Sequence, residues 1–163
     1  MKKILFALAV MFITMMTLNS CSKDEPTPSF QVPEVCHDWG ASREHALQEM
    51  KKYGWTYTGE EADLGMNFEF KNNKDITSTI YVDKEKGILS VYVFYLGMNS
   101  FFDELKSELT KRINIIWETN TLYVRGKSID NTIAAEIYSF YNEKRKVEGM
   151  AYMLWDPNFG IKK

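Results

Sequence analysis

The sequence predicts an α+β domain built of two tandem units. Each unit is a helix followed by antiparallel strands, and together they form one antiparallel sheet with two helices on one face. Three observations carry this expectation. Residues 35–155 contain no proline, which suits continuous regular structure. Two segments in that run place apolar residues at helical spacing, while the remainder alternates as strands do. The elements also recur: Ser42 and Ser100 open the helices, 100 − 42 = 58 apart, and Ile80 and Ile137 precede two charged turns, 137 − 80 = 57 apart. A period of this size bears on the whole architecture and is weighed before any motif.

The first helix begins at Ser42, a good N-cap residue. Ala46, Leu47, Met50 and Tyr53 follow on one face, and Gly54 supplies the stop. The second begins at Ser100, where Ser100 and Asp103 have the spacing of a capping box with the shorter acid. Phe102, Leu105, Leu109 and Ile113 make its apolar stripe, and Glu108 and Arg112 an i,i+4 ion pair. Met66, Phe68 and Phe70 alternate with Asn67, Glu69 and Lys71, the pattern of a half-buried strand. Residues 80–82 and 89–95 are strands flanking the charged turn 83–87. Residues 122–124, 133–141 and 147–155 continue the pattern, with a second charged turn at 142–146. The two units are expected at about 40–97 and 98–156.

The N-terminus has a different character. Lys2 and Lys3 precede a stretch, residues 4–16, that is apolar except for Thr14. It is too short to span a bilayer, which takes about 20 apolar residues, and has the layout of a signal peptide ending at Ser20. Leu18-Asn19-Ser20-Cys21 resembles a lipobox, with a branched apolar residue three before the cysteine and a small one just before it. That resemblance, to bacterial lipoproteins, implies cleavage before Cys21 and acylation of its thiol. Two or more chains then anchor the protein, where one binds only marginally. Lys23-Asp24-Glu25 resembles the surface-export signal of lipoproteins from gram-negative anaerobes. It implies an outer-membrane lipoprotein displayed at the cell surface. Pro26, Pro28 and Pro33 make residues 21–34 an extended, semi-rigid tether, leaving 35–163 as the single domain. The layout of residues 40–155 also resembles the tandem-repeat fold of beta-lactamase inhibitor proteins, a likeness of fold that carries no function by itself.

Without Lys2 and Lys3 the charge is (20 − 2) − 22 = −4. That argues against a nucleic-acid partner, which would need a basic patch. With Cys21 consumed by lipid, Cys36 has no intramolecular partner and is expected to be buried. Cys36, His37, Asp38 and His45 are all residue types that bind zinc. Their spacing matches no paired-ligand motif, so neither a metal nor a cofactor is expected. Adjacent Cys36 and His37 would point to opposite sides, which excludes them as a nucleophile pair. There is no G-x-S-x-G, phosphate loop or H-E-x-x-H, and no catalytic residue is assigned. Trp39 is expected to fold back on the first helical turn as a staple, and Trp55 and Trp117 to close the helix-to-sheet corners.

The hairpin around residues 83–87 carries the candidate binding face. With Lys86-Gly87 as the central turn pair, Val82 lies opposite Val91 and Ile80 opposite Val93. On the other face Tyr81 lies opposite Tyr92, and Thr79 opposite Phe94. The aliphatic face suits the helices. The face of Tyr81, Tyr92 and Phe94 suits a protein or glycan partner, since aromatic side chains dominate interface energetics. The expectation is a non-catalytic binding module reaching the membrane through its lipid anchor. The rivals are an envelope hydrolase using Glu60, Glu61, Asp63 or His45, and a structural envelope subunit.

Overall fold

The computed structural model describes residues 30–61, 65–119 and 124–158. The expected signal peptide, Cys21, most of the expected tether, Asp63 and Leu122 lie outside the described residues.

Helix α1 spans Arg43–Lys52. Ser42 is extended, and its hydroxyl accepts the His45 backbone N–H at 3.3 Å. Glu44 in the first turn and Lys51 and Lys52 in the last match the helix dipole. Gly54, at φ +89°, turns the chain out of the helix. Strands β1 (Trp55–Glu61), β2 (Gly65–Phe70), β3 (Asn73–Asp83) and β4 (Gly87–Leu96) follow. A 3-10 turn at Asn99–Phe101 leads into helix α2, Phe102–Ile113. Strands β5 (Ile115–Thr119), β6 (Val124–Ser128), β7 (Ala134–Asn142) and β8 (Val147–Trp155) complete the domain.

The start of α2 differs from expectation. Ser100 belongs to the 3-10 turn, and the N-cap is Phe101, with no side-chain capping bond. The chain leaves β4 through Gly97, whose N–H donates to the Glu148 carbonyl at 2.8 Å, and Asn99 Nδ2 donates to the Glu148 carboxylate at 2.9 Å. Those bonds spend residues 97–99 on the exit from the sheet and draw Ser100 into the tighter turn. Asp103 and Glu104 still place negative charge in the first helical turn. The expected Glu108–Arg112 pair is present at 3.7 Å.

The strands form one eight-stranded antiparallel sheet in the order β1-β2-β3-β4-β8-β7-β6-β5. The fold is therefore α+β, as expected. Ile80, Val91, Leu154 and Ala135 lie abreast on β3, β4, β8 and β7, and all are buried. This is the inner face. Ala46 and Met50 of α1 and Leu105 and Leu109 of α2 complete its core. A cleft of about 370 Å³ is walled by Tyr53 at the end of α1, Leu109 and Arg112 of α2, and Tyr152 and Leu154 of the inner face.

The compact unit begins at Gln31, earlier than the expected boundary at residue 35. Val32, Pro33, Val35 and Cys36 are buried. Arg112 donates to the Val32 carbonyl at 2.5 Å, and the Trp55 indole to the Glu34 carbonyl at 2.7 Å. The last residues of the expected tether thus close the core between the helices. Trp39, expected as a staple on α1, also ties the loop to the second half of the chain. Its indole N–H donates to the Thr132 carbonyl in the β6–β7 loop at 2.9 Å. Trp117 does close its corner, donating to Thr110 of α2 at 2.7 Å.

Candidate functional site

The first hairpin builds the site. Asp83 Oδ1 accepts the N–H groups of Glu85 and Lys86, both at 2.9 Å. These bonds stabilise a three-residue loop, Lys84-Glu85-Lys86, closed by Gly87 at φ +72° opposite Asp83. A bulge follows between Tyr81 and Val82. The register therefore differs from the expected two-residue turn. Ile80 lies opposite Val91, Thr79 opposite Tyr92, Thr77 opposite Phe94 and Tyr81 opposite Ser90. The shift is two residues, so each side chain keeps its face.

Tyr81, Tyr92 and Phe94 accordingly share the outer face. The Tyr81 and Tyr92 rings meet edge to face at 5.4 Å, and Tyr92 stacks on Phe94 at 6.2 Å with 10° between planes. The second half of the chain adds to them. Phe94 meets Phe140 of β7 edge to face at 5.6 Å, and Phe140 lies over Gly149, where a Cβ would stand 2.9 Å from its ring. Tyr138 and Trp155 are on the same face, by pairing with Ala151 and with Ser90 and Ala134. These rings are half-buried rather than exposed, because they lean on one another and cover the small residues Thr79, Ala134 and Ala151.

Burial is the first cause of raised tyrosine pKa values here. Tyr138 is pushed up to about 12, with the nearby Tyr92, Glu136 and Tyr81 adding to it. Tyr81 is raised by burial and then by Glu61, and Tyr92 by burial against an opposing hydrogen bond from Ser90. At neutral pH the face presents protonated hydroxyls beside aromatic surface. Two polar pairs lie on it: Thr79 donates to Asn67 at 2.8 Å, and Arg125 holds Glu136 at 2.6 Å. Such a face stacks and donates hydrogen bonds.

The described acidic candidates, Glu60 and Glu61, face partners other than His45. Glu60 is held by Arg43 at 2.6 Å, and Glu61 ends β1 on the side of Tyr81. His45 instead meets Asp38, with Nε2 2.6 Å from Oδ2. Cys36 is buried as expected, and its Sγ lies 3.9 Å from the same Asp38 oxygen. Burial first, and then the neighbouring Asp38 and Glu49 charges, push the thiol pKa up, although a backbone bond at Asp38 opposes them. His37 stays apart, with Nδ1 3.0 Å from the Val35 carbonyl.

Sequence reasoning missed Tyr138, Phe140 and Trp155. Their signal was the alternation of Glu136, Tyr138 and Phe140 along β7, which becomes a face only when β7 is known to pair with β8. Comparison with family models, curated proteins and solved structures finds no match to this chain.

Proposed function

We propose that the chain is an outer-membrane lipoprotein, acylated on Cys21 and displayed at the cell surface, whose domain is a non-catalytic binding module. The lipobox-like Leu18-Asn19-Ser20-Cys21 and the Lys23-Asp24-Glu25 triplet support the address. One observation carries the binding reading. Tyr81, Tyr92, Phe94, Tyr138, Phe140 and Trp155 gather on the sheet face opposite both described helices. Clustered tyrosine, tryptophan and phenylalanine are the residues that anchor interfaces. The partner is an envelope or extracellular protein, with a glycan as the other class that stacks on such rings.

We also infer that the domain is two tandem copies of a helix-plus-four-strand unit. What supports this is the mirrored strand order about the β4–β8 seam. Equivalent strands also start at nearly equal offsets: 115 − 55 = 60 for β5 and β1, 124 − 65 = 59 for β6 and β2, 134 − 73 = 61 for β7 and β3, and 147 − 87 = 60 for β8 and β4. Two halves of an experimental structure that fail to superpose by a two-fold rotation would remove the inference.

Crosslinked pull-down from native membranes tests the function. The wild type should enrich a discrete partner that Tyr81→Ala and Tyr92→Ala both lose. Equal capture by all three proteins overturns the assignment of the face.

A further inference from the structure

We propose that Cys36, Asp38 and His45 form a binding site for one zinc-type divalent cation. One ligand atom from each residue lies within 4.8 Å of the other two. His45 Nε2 stands 2.6 Å from Asp38 Oδ2, and Cys36 Sγ 3.9 Å from that oxygen. A tetrahedral zinc has Zn–S of about 2.3 Å and Zn–N or Zn–O of about 2.0–2.2 Å, which places its ligand atoms roughly 3.2–3.7 Å apart. The carboxylate must retreat from the imidazole by roughly 0.6–0.9 Å, and the thiol must close on the carboxylate by about 0.2–0.3 Å and on the imidazole by up to about 1 Å.

The backbone under the three ligands is held from several directions. The Cys36 N–H donates to Met50 Sδ at 3.4 Å, tying the cysteine to α1. The Ala41 N–H donates to the Asp38 carbonyl at 3.0 Å and closes the turn after the aspartate. The next residues pair with β4: Gly40 N–H to the Ile88 carbonyl at 3.2 Å, and Ile88 N–H to the Ala41 carbonyl at 2.9 Å. His45 sits in the first turn of α1 beneath the Ser42 cap. Linear spacing argued against a site because it matches no paired-ligand motif. The ligands instead come from a pinned loop and the helix it leads into.

The donor set selects the metal. A thiolate and an imidazole favour zinc over calcium or magnesium, which take oxygen ligands. The cysteine is buried while Asp38 is exposed and His45 half-exposed, so the fourth position opens to water. Glu49, one turn on from His45 along α1, adds negative charge on the same side, with its carboxylate held by Lys52. Binding replaces the His45–Asp38 hydrogen bond by two metal bonds and sends the Cys36 thiol proton to solvent.

Calorimetric titration of the reduced full chain with Zn²⁺ tests this. One equivalent should bind, and Co²⁺ should give a thiolate-to-metal charge-transfer band. Outer-shell changes already cost about 10–100-fold in metal affinity, so Cys36→Ser and His45→Ala should lose at least that. Should Cys36→Ser fail to fold, the helix-surface variant His45→Ala decides. In unacylated protein Cys21 is a second thiol, so the cobalt band must persist in Cys21→Ser and, if Cys36→Ser folds, vanish there. His37→Ala should bind as the wild type does. A wild type that takes up no zinc, or a His45→Ala variant that binds as tightly, overturns the proposal and leaves an Asp–His hydrogen bond beside a buried thiol.

Discussion

Tyr81 and Tyr92 meet edge to face, 5.4 Å between ring centroids, although neither is the other's partner in the β3–β4 ladder. Tyr81 lies opposite Ser90, and Tyr92 opposite Thr79. The rings touch along the diagonal, which is within reach of aromatic side chains on one sheet face. The contact therefore depends on which face each tyrosine occupies, and only secondarily on direct pairing.

The two faces should respond differently to truncation. Full burial of a large apolar side chain is worth about 1.5–3 kcal/mol, so removing a half-buried ring at Tyr81 or Tyr92 should cost roughly 1 kcal/mol. Ile80 is fully buried on the inner face, and Ile80→Ala should cost about 2–5 kcal/mol. A urea titration of the three variants measures the difference. Larger losses from the tyrosines would put the core on the other face.

Gly87 is expected to tolerate no side chain. Its φ of +72° disfavours any L-residue, and a Cβ would stand 2.2 Å from the Gly40 carbonyl oxygen. The left-handed backbone costs about 1–2 kcal/mol and overpacking about 1–3 more. Gly87→Ala should therefore lose roughly 2–5 kcal/mol in chemical denaturation. A loss under about 1 kcal/mol would show that the loop 40–41 does not rest against β4.

Anchoring should depend on one thiol. Cys21→Ser is expected to abolish acyl labelling and to release the protein from the membrane fraction. A variant that stays with the membrane, beside a wild type that takes up no palmitate, would falsify the lipoprotein assignment.

Alkali should weaken the fold in a defined window. Tyr138 holds its proton up to about 12, while an unfolded tyrosine releases it near 10.0, and burial pushes Tyr95 and Tyr152 up as well. The folded chain thus binds protons that the unfolded chain gives up. Stability is complete below pH about 10 and falls as the pH rises towards about 12. Urea midpoints at about pH 9 and about pH 11 should differ, with the lower value at the higher pH. Equal midpoints would mean that these hydroxyls are not shielded in the fold.

Much of this architecture is legible in the linear chain. The period-two alternation at Met66, Phe68 and Phe70 marks β2, and Ser42 with Ala46 and Met50 marks α1, because a single face of each must be buried. The outer-face position of Tyr81, Tyr92 and Phe94 survived an error of two residues in register, since side chains repeat every two residues along a strand. Strand β1 gave little signal: it lies at the sheet edge and buries only Trp55. Three further relationships belong to the tertiary structure alone. The Trp39 indole reaches Thr132, the tether's last residues close the core, and Cys36, Asp38 and His45 converge. Each depends on the path of the irregular segment 31–42, which has no periodicity to read. That path is set by bonds to β4, α2 and the β6–β7 loop, partners that come together only when the sheet closes at the β4–β8 seam.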